Sequence, residues 1–330
     1  MISNEDTTPW IEKYRPSDIT EIKGNEIAIS GLIKMIENNK LAHLIFYGPS
    51  GTGKTSTILA CAKKLYGENY RNMILELNGS EERGINIIRE QIKDFSTSTQ
   101  ITKCNINFKL IILDEADSMT YDAQFALRRV IENYTNNTRF CLICNYENKI
   151  ISALKSRCII FKFPPLPKNV HLERLKYIAL NEKLLITECG LNAIVDLSGG
   201  DMRKSINLLQ MYVLSTSDIL ENTITEELIY KYVKYPTQQE FNKLIDNIYD
   251  FNLSLEKVCN IFYEYKILHG ITIQDILTNI TKYLINNIDN LSNIIKILDK
   301  LGDLEIYISI YINEYLIIAD IISTIRSFQD

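Results

Sequence analysis

The first half of the chain alternates between short apolar runs and longer segments of helical periodicity. The run at residues 44–47 ends at a glycine, as a buried strand of a parallel sheet often does. Residues 25–38 carry apolar side chains at positions 29, 32, 33 and 36, which is the spacing of a helix. Four further apolar runs have the length of strands, at residues 73–77, 110–113, 139–145 and 158–163. This alternation predicts an α/β domain with a parallel sheet.

The pattern changes at Pro164-Pro165-Leu166-Pro167, a proline cluster that is typical of a linker. Beyond the cluster the apolar positions follow only helical spacing, as at positions 241, 244, 245, 248 and 249. The sequence therefore predicts an α/β domain at residues 1–163, a helical domain at 164–234 and a second helical domain at 235–330. The last domain is apolar enough to favour packing against partner proteins.

Composition narrows the classes of protein. The chain has 330 residues, of which 46% are hydrophobic and 23% charged, as in an ordinary globular protein of two or three domains. Its net charge of −5 excludes a protein that wraps nucleic acid by bulk positive charge, so any such contact requires a local basic surface. Glu314 and Asp320 interrupt the apolar tail, so no membrane span is predicted.

The cysteines bear on metal binding and on the compartment. The chain has seven, and Cys141 and Cys144 form a lone C-x-x-C inside an apolar run. We interpret this pair as buried strand cysteines rather than zinc ligands, because no second pair or adjacent histidine completes a site. The odd number of cysteines and the polar N-terminal segment favour the cytosol or the nucleus.

A glycine-rich loop follows the first apolar run. It reads Gly48-Pro49-Ser50-Gly51-Thr52-Gly53-Lys54-Thr55, which fits the pattern G-x-x-x-x-G-K-[ST] between a predicted strand and a predicted helix. The glycines let successive backbone N–H groups point at phosphate oxygens, and the start of the helix adds positive potential. Lys54 is predicted to reach the β- and γ-phosphates of a nucleotide, and Thr55 to hold Mg²⁺.

Polar residues also stand at the ends of two later strands. Asp114 and Glu115 directly follow the run at 110–113, and Asn145 ends the next run. In a doubly wound sheet, ligands bind at the carboxyl ends of the strands. We predict that Asp114 holds Mg²⁺ through water and that Glu115 orients or activates the attacking water. Asn145 either holds this water or the γ-phosphate, or is an ordinary turn residue.

Several cationic residues have two interpretations each. Arg157, just before the last strand, pairs with a carboxylate of its own chain or projects into the nucleotide site of a neighbouring subunit. Arg203, near the start of a helix, closes over a nucleotide or is solvated. Arg83, Arg89 and Lys93 lie away from the apolar stripe of one helix, as residues of a solvated face do.

The N-terminal segment Pro9-Trp10-Ile11-Glu12-Lys13-Tyr14-Arg15-Pro16 precedes the α/β pattern. Its two prolines predict extended backbone with aromatic and apolar faces. The segment either straps the core or also covers an adenine, and its residues alone leave both possibilities open.

Together these motifs resemble the clamp-loader class of AAA+ ATPases, and more closely the small subunits of eukaryotic replication factor C. The matching segments are PWIEKYRP, GPSGTGKTSTILACAKKLYG, LELNGSEERGINIIREQIKDF, LIILDEADSMTYDAQFALRRVIENYTNNTRF, SRC and GGDMRKSINLLQ. The resemblance implies a RecA-like α/β domain, an all-helical lid and an all-helical collar. It also implies an ATPase with ATP and Mg²⁺ as cofactors. Such a protein acts in a nuclear five-subunit assembly that loads a sliding clamp onto primer–template DNA during replication and repair.

The resemblance also assigns roles to residues. Asn145 matches the sensor-1 position, Arg203 matches sensor 2, and Arg157 matches a finger that acts in trans on a neighbour's ATP. A set of three cations matches the region that tracks template phosphates, without reading sequence: Arg83, Arg89 and Lys93. The residues implied to bind the nucleotide are Trp10, Tyr14, Arg15, Pro16, Gly48, Pro49, Ser50, Gly51, Thr52, Gly53, Lys54, Thr55, Ser56, Asn145 and Arg203.

The sequence departs from the family pattern in two places, and two alternative functions stay open. Ser50 stands where the family usually has a proline, a change that should still permit nucleotide binding. Gly79-Ser80-Glu81 stands where the family usually has Ala-Ser-Asp, which loosens the turn but keeps the helix cap. The first alternative function is an AAA+ DNA motor of the helicase type, against which the SRC motif and the collar-like third domain count. The second is a scaffold subunit that binds nucleotide with little turnover, against which Lys54, Asp114 and Glu115 count.

Overall fold

The computed structural model describes residues 8–80, 85–98, 106–215, 223–287, 291–308 and 313–327. The chain divides into two compact units, Met1–Thr223 and Ile224–Asp330. The first unit contains the sheet, and the described elements that begin in the second are helices. The predicted domain at residues 164–234 crosses the boundary between these units, and the three predicted domains stay a prediction.

A five-stranded parallel sheet forms the centre of the first unit and confirms the predicted α/β class. The strands, in the spatial order β2-β3-β4-β1-β5, are β1 Leu44–Tyr47, β2 Ile74–Asn78, β3 Lys109–Asp114, β4 Thr138–Cys144 and β5 Ile159–Lys162. Tyr47 pairs with Cys144, and Leu113 pairs with Leu142. The loops that follow β1, β3 and β4 therefore leave the sheet at the same edge.

Helices cover both faces of this sheet. They are α2 Glu26–Glu37, α3 Lys54–Tyr66, α4 Tyr70–Met73, α5 Ile85–Thr97, α6 Tyr121–Tyr134 and α7 Ser152–Lys155. Because side chains alternate along a strand, Leu44 and Phe46 enter the core formed with α2 and α3, whereas Ile45 enters the core formed with α5 and α6. The three inner strands β1, β3 and β4 are thus buried on both sides, as parallel strands are, whereas the edge strands β2 and β5 are only partly buried.

A further group of helices follows the prolines of residues 164–167. Its members are α8 Lys168–Asn181, α9 Glu188–Ser198 and α10 Met202–Ser215. The N-terminal helix α1, Trp10–Lys13, is tied to this group at both ends. The backbone N–H of Trp10 donates to Gln210 over 3.1 Å, and the guanidinium of Arg174 donates to the carbonyl of Tyr14 over 2.7 Å.

The extended backbone predicted for residues 9–16 is wrong at its centre, because residues 10–13 form one helical turn. The carbonyl of Pro9 accepts hydrogen bonds from the N–H groups of Glu12 and Lys13, at 2.9 and 3.0 Å. A proline just before the first turn removes no hydrogen bond from a helix. Pro9 is therefore compatible with the helical turn that follows it.

The second unit is built from α11 Glu226–Val233, α12 Gln238–Tyr249, α13 Leu255–His269, α14 Ile273–Asn287, α15 Leu291–Ile308 and α16 Glu314–Ser327. The predicted apolar stripe of α12 is confirmed, since Phe241, Ile245 and Ile248 are buried in one shared core. Thr237 and Glu240 form a capping box that starts this helix by satisfying its first backbone N–H groups.

The other end of α12 is held by Arg326 of α16. Its guanidinium donates to the carbonyls of Ile248, Leu253 and Asp250, over 2.8, 3.0 and 3.0 Å. The last carbonyls of a helix lack partners within the helix and carry partial negative charge, so a buried cation there is favourable.

Cysteines 141 and 144 are buried free thiols on β4, as predicted. Burial raises the pKa of Cys144 to about 12, so this thiol stays protonated near neutral pH. Across the described ranges, we find no group of three or more His, Cys, Asp or Glu residues able to hold a metal ion. Of the helices in those same ranges, none is long and apolar enough to cross a membrane.

Candidate active site

The phosphate loop connects β1 to α3 and is held by the strands beside it. Gly48 has φ +148°, and a Cβ at this position would lie 2.0 Å from the carbonyl oxygen of Phe163. The N–H of Gly48 donates to the carbonyl of Cys144 over 3.3 Å. The chain therefore turns away from the sheet at a point too close to β5 for any side chain, and α3 begins at Lys54 with its N-terminus facing the loop.

Lys54 lies buried beneath this loop. Its ammonium donates to the carbonyls of Gly48 and Pro49 over 2.6 and 2.8 Å, and to Oδ1 of Asn145 over 3.1 Å. Burial lowers the pKa of Lys54, while the nearby Asp114 carboxylate opposes that shift and the cation of Arg203 adds to it. The structure thus brings together the loop lysine and the asparagine at the end of β4.

Thr55 and Asp114 form the second part of the site. The hydroxyl of Thr55 donates to Oδ2 of Asp114 over 2.9 Å, and the N–H of Glu115 donates to Oδ1 over 2.9 Å. A hydroxyl beside a carboxylate is a donor set that suits Mg²⁺, which binds through few protein oxygens and completes its shell with water and phosphate. The geometry therefore fits the metal assigned to these two residues from the sequence.

Glu115 has an unusual backbone, with φ +53°, and an exposed carboxylate. Its carbonyl accepts from the N–H and the hydroxyl of Ser118, over 2.9 and 2.7 Å. A Cβ on Gly79 would lie 2.7 Å from the same carbonyl, so β2 approaches this turn closely. Left-handed backbone at a residue other than glycine persists only where neighbours hold it, and here the turn directs Glu115 away from the core.

Asp117 is a site residue that the sequence reasoning missed. Its Oδ2 accepts from the N–H groups of Asn145 and Tyr146, each over 3.2 Å. Asp117 therefore fixes the backbone of Asn145, while Lys54 contacts its side chain. The signal was present in the sequence, since Asp117 belongs to the same acidic cluster as Asp114 and Glu115.

A cavity of about 420 Å³ opens beside the phosphate loop. Its walls include nine of the residues implied to bind nucleotide: Tyr14, Arg15, Pro16, Gly51, Thr52, Gly53, Thr55, Ser56 and Arg203. Trp10 is buried and is not among the lining residues. Trp10 instead packs edge-on against Tyr14, with 6.4 Å between ring centroids, so its contact with the cavity is indirect.

Glu182 holds the N-terminal segment over this cavity. The hydroxyl of Tyr14 donates to the Glu182 carboxylate, and the ammonium of Lys13 pairs with the same oxygen at 2.7 Å. Burial raises the pKa of Tyr14, and the carboxylate adds to this effect. The segment is therefore a strap that also lines the cavity, and its contact with an adenine stays a prediction.

Arg157 lies beyond α7 and pairs with Glu132 of α6 at 2.6 Å. The same Glu132 oxygen accepts from Arg128 over 3.1 Å, and the Arg157 guanidinium also donates to the carbonyl of Ala153 over 2.7 Å. About a third of the Arg157 side chain is exposed, 32% by relative area. Arg157 thus pairs with a carboxylate of its own chain, and it is not among the residues that line the cavity.

Gln124 braces the segment that leads to Arg157. It is buried on α6, donates to the carbonyls of Lys149 and Met119 over 2.9 and 3.3 Å, and accepts from the N–H of Ile151 over 2.9 Å. The sequence reasoning did not single it out, because a glutamine in a helix is normally solvated.

The three cations assigned to DNA fall partly outside the described residues. Lys93 is exposed on α5, as expected for a residue away from the apolar stripe. Arg83 lies outside the described residues, and so does the side chain of Arg89.

Comparisons with known proteins agree with this fold and site. The family model described as "ATPase family associated with various cellular activities (AAA)" matches residues 44–165, and that described as "Replication factor C C-terminal domain" matches residues 236–324. A solved structure of the RuvB Holliday junction branch migration motor of Thermotoga maritima superposes with a TM-score of 0.57 over 83% of this chain and 91% of that chain. At 17% identity this likeness shows the fold alone. Fold and site define an ATPase of the AAA class.

Curated relatives then identify the family. "Probable replication factor C subunit 5" of Dictyostelium discoideum is 44% identical over 98% of this chain and 92% of the relative. Replication factor C subunit 5 of Homo sapiens is 42% identical over 98% and 92%, and subunit 3 of Saccharomyces cerevisiae is 40% identical over 99% and 96%. The chain belongs to the replication factor C small subunits, among those named subunit 5 or subunit 3, which confirms the predicted clamp-loader class.

Proposed function

We propose that this chain works as one subunit of a multi-subunit clamp loader, in which ATP binding and hydrolysis drive the loading of a sliding clamp onto primer–template DNA. The observation that supports this proposal most directly is the convergence of two contacts at one edge of the sheet. Lys54 contacts Asn145 over 3.1 Å, and Thr55 contacts Asp114 over 2.9 Å. These contacts gather the residues proposed to bind nucleotide and Mg²⁺ beside the acid at Glu115.

In the proposed reaction, the ammonium of Lys54 gives up its hydrogen bonds to the carbonyls of Gly48 and Pro49 and donates instead to β- and γ-phosphate oxygens. Thr55 and Asp114 would hold Mg²⁺, which would neutralise phosphate charge. The Glu115 carboxylate polarises the attacking water and accepts its proton. Asn145 orients that water or the γ-phosphate through its side-chain amide. The strap and the adjoining cavity hold the nucleoside.

Arg203 supplies a cation to the γ-phosphate from the helical part of the first unit. It lines the same cavity as the phosphate loop, and its charge depresses the pKa of Lys54, which supports its closeness to the phosphate site. A cation directed at the γ-phosphate distinguishes ATP from ADP, so Arg203 would report which nucleotide is bound.

Arg157 acts on the ATP of a neighbouring subunit. The partial exposure of its side chain supports this role. Its exposed ion pair with Glu132 is weak enough to be exchanged for a phosphate in the assembled complex. This chain alone therefore hydrolyses ATP slowly, because its own site lacks the arginine that a neighbour provides.

Template DNA is contacted through its phosphates by Arg83, Arg89 and Lys93. The exposure of Lys93 on α5 supports a contact with a partner, and phosphate contacts of this kind are salt-sensitive and independent of sequence. The protein functions in the nucleus, in a heteropentamer with other replication factor C subunits. Residues 1–163, 164–234 and 235–330 act as the nucleotide-binding domain, lid and collar.

Two other functions stay open to test. A DNA motor of the helicase type would be supported by native mass spectrometry that found a hexamer of this chain alone. A scaffold subunit with little turnover would keep nucleotide binding but have no use for the acid at Glu115.

The deciding experiment is Glu115→Gln in a complex reconstituted with its partner subunits. Glutamine keeps the size of the side chain but cannot accept a proton, so hydrolysis at this site should be lost while ATP binding remains. Glu37→Gln, at an exposed position on α2, is the matched control. Unchanged ATP turnover and unchanged clamp loading in the Glu115 variant would show that the site is structural.

A further inference from the structure

The phosphate loop makes a direct side-chain contact with the start of α10. The hydroxyl of Ser50 donates to Oδ2 of Asp201 over 2.5 Å. The neighbouring Gly51 lies so close that a Cβ there would be 1.8 Å from Oδ1 of Asp201 and 2.9 Å from the N–H nitrogen of Met202. Gly51 also has φ +68°, so glycine meets both requirements of this close approach. Ser50 is one of the positions at which the chain departs from the family pattern, and a proline there has no hydroxyl to donate.

Asp201 also caps the helix that carries Arg203. Its Oδ1 accepts from the N–H groups of Arg203 and Lys204, over 2.9 and 3.3 Å. The two carboxylate oxygens therefore have different partners, one in the phosphate loop and one at the first turn of α10. A capping carboxylate fixes the direction in which a helix starts. A displacement of the Asp201 carboxylate would therefore also displace the backbone of Arg203, which donates to it.

The opposite side of this helix start is anchored in the interior. The N–H and hydroxyl of Ser205 donate to the carbonyl of Asp201, over 3.1 and 3.3 Å. Ser205 and His171 are buried, and their hydroxyl oxygen and Nε2 lie 2.8 Å apart. Asp201 thus stands between a buried polar pair, which ties α10 to α8, and the exposed phosphate loop.

We propose that Ser50 and Asp201 form a latch that sets Arg203 against the phosphate loop and thereby gives this site its preference for ATP over ADP. The inference rests on the proposed contact between Arg203 and the γ-phosphate. Ser50 and Asp201 are positioning residues in this scheme, because they act through the placement of Arg203.

The latch would act by holding Arg203 in place before the nucleotide binds. Without it, the start of α10 must be fixed when the nucleotide binds, and that ordering opposes binding. Only ATP recovers this cost through a γ-phosphate contact, so the latch should strengthen ATP binding and leave ADP binding nearly unchanged. For one exposed hydrogen bond to a carboxylate, the expected change is about fivefold in the ratio of the two affinities.

The test compares Ser50→Ala, Ser50→Thr and the unchanged full-length chain, using fluorescent ATP and ADP analogues with Mg²⁺. Alanine should lower the ATP:ADP affinity ratio about fivefold, and threonine, which keeps the hydroxyl, should restore it. Hydrogen–deuterium exchange at residues 202–205 should be faster in the alanine variant. Ser30→Ala, an exposed serine on α2, is the control.

A double-mutant cycle adds a second readout. If the latch exists, Asp201→Ala together with Ser50→Ala should have the same ATP:ADP ratio as Asp201→Ala alone. Additive effects would overturn the proposal. An equal loss of ATP and ADP affinity in Ser50→Ala would also overturn it, since the hydroxyl would then serve the phosphates directly.

Arg203→Ala separates the latch from the function on which it rests. A reduced ATP preference in Arg203→Ala, with no change in Ser50→Ala, would leave the proposed function standing and remove the latch. An unchanged preference in Arg203→Ala would instead remove the γ-phosphate role of Arg203, and with it the latch as the source of ATP preference.

Discussion

The ammonium of Lys54 lies 3.1 Å from Oδ1 of Asn145, which joins the helix after β1 to the end of β4. The backbone of Asn145 is held separately by Asp117, over 3.2 Å. Asn145 is thus fixed at two points while its side chain faces the phosphate loop. An amide held in this way is already placed to act when charge develops on the γ-phosphate.

Replacing Asn145 with alanine should therefore lower turnover more than it weakens nucleotide binding. We expect kcat of the reconstituted complex to fall about 10²-fold, as for the loss of one placed polar group at a reacting centre. KM for ATP should change little, because the loop and Lys54 remain. Asn148→Ala, an exposed asparagine three residues later, is the control. A rise in KM with unchanged kcat would assign Asn145 to binding alone.

Asp114→Asn should weaken the hold on Mg²⁺. Asparagine keeps an acceptor for the Thr55 hydroxyl but removes the negative charge, so the Mg²⁺ concentration needed for half-maximal ATPase activity should rise by about 10–100-fold. Binding of nucleotide measured with a chelator present should be unaffected. Asp94→Asn, at an exposed position on α5, controls for the loss of a carboxylate. Equal Mg²⁺ requirements in Asp114→Asn and the unchanged complex would contradict the assignment of Asp114.

His43 should make the fold sensitive to acid. Burial lowers its pKa from 6.5 to about 4, and the Arg139 guanidinium adds to this effect. The N–H of Phe140 donates to its Nδ1 over 3.2 Å, a bond that requires the neutral ring. Between pH 6.5 and 4 the unfolded chain therefore binds a proton that the folded chain does not. The free energy of unfolding should fall in this window by up to about 1.4 kcal/mol per pH unit.

The check on His43 is the pH profile of urea unfolding. His43→Asn keeps an acceptor near the Phe140 N–H but does not titrate there, so its stability should fall less steeply below pH 6.5. Its stability at neutral pH is expected to be lower, because asparagine fills less of the site. Parallel profiles for the two proteins would show that His43 does not cause the acid sensitivity.

Arg326→Leu should destabilise the second unit. It removes the donors for the carbonyls of Ile248, Asp250 and Leu253, at and just beyond the end of α12, and the bonds to Ile248 and Leu253 are partly buried. The expected cost is about 2 kcal/mol. Circular dichroism during urea unfolding would measure the shift of the midpoint. Lys296→Leu, which removes an exposed cation from α15, should leave the midpoint almost unchanged. Equal midpoints for both variants would mean that water replaces the guanidinium without cost.

Arg157→Ala should impair catalysis at a neighbour's site and spare nucleotide binding by this chain. ATPase activity of the reconstituted complex should fall by roughly 10³-fold at the affected site, the effect typical of a lost arginine finger. ATP affinity of the separate chain should stay the same, since Arg157 does not line the cavity. Lys168→Ala, an exposed cation, is the control. A loss of ATP affinity in the separate chain would place Arg157 in its own site.

The sequence was sufficient for the parts of the site that depend on local pattern and strand direction. The phosphate loop is a contiguous motif, and Thr55 and Asp114 could be predicted to meet because both follow parallel strands. The register of β1, β3 and β4 bears out that reasoning. The cores were predictable for the same reason, since apolar runs of strand length are buried on both faces.

Contacts that depend on the geometry of turns were not predictable. Asp117 reaches Asn145 only because the chain reverses at Glu115 with φ +53°, a conformation that glutamate rarely adopts. The contact between Ser50 and Asp201 spans 151 positions and depends on how α10 packs. Helix α1 was not predicted because the restriction that each proline imposes was extended to the whole segment. A proline restricts only the residue before it, and the helical turn at residues 10–13 lies between the two prolines.

The place of β1 inside the sheet determines which parts of the site are free to move. Strand β1 is hydrogen-bonded to β4 on one side and β5 on the other, so the phosphate loop is the stationary reference of the site. Helix α10 meets the loop through the contact of Ser50 with Asp201, and the strap at residues 9–16 is tied to the helices that follow the prolines, as by Lys13 with Glu182. We therefore expect a signal from the nucleotide to appear as a change in the tilt of these helices against the sheet.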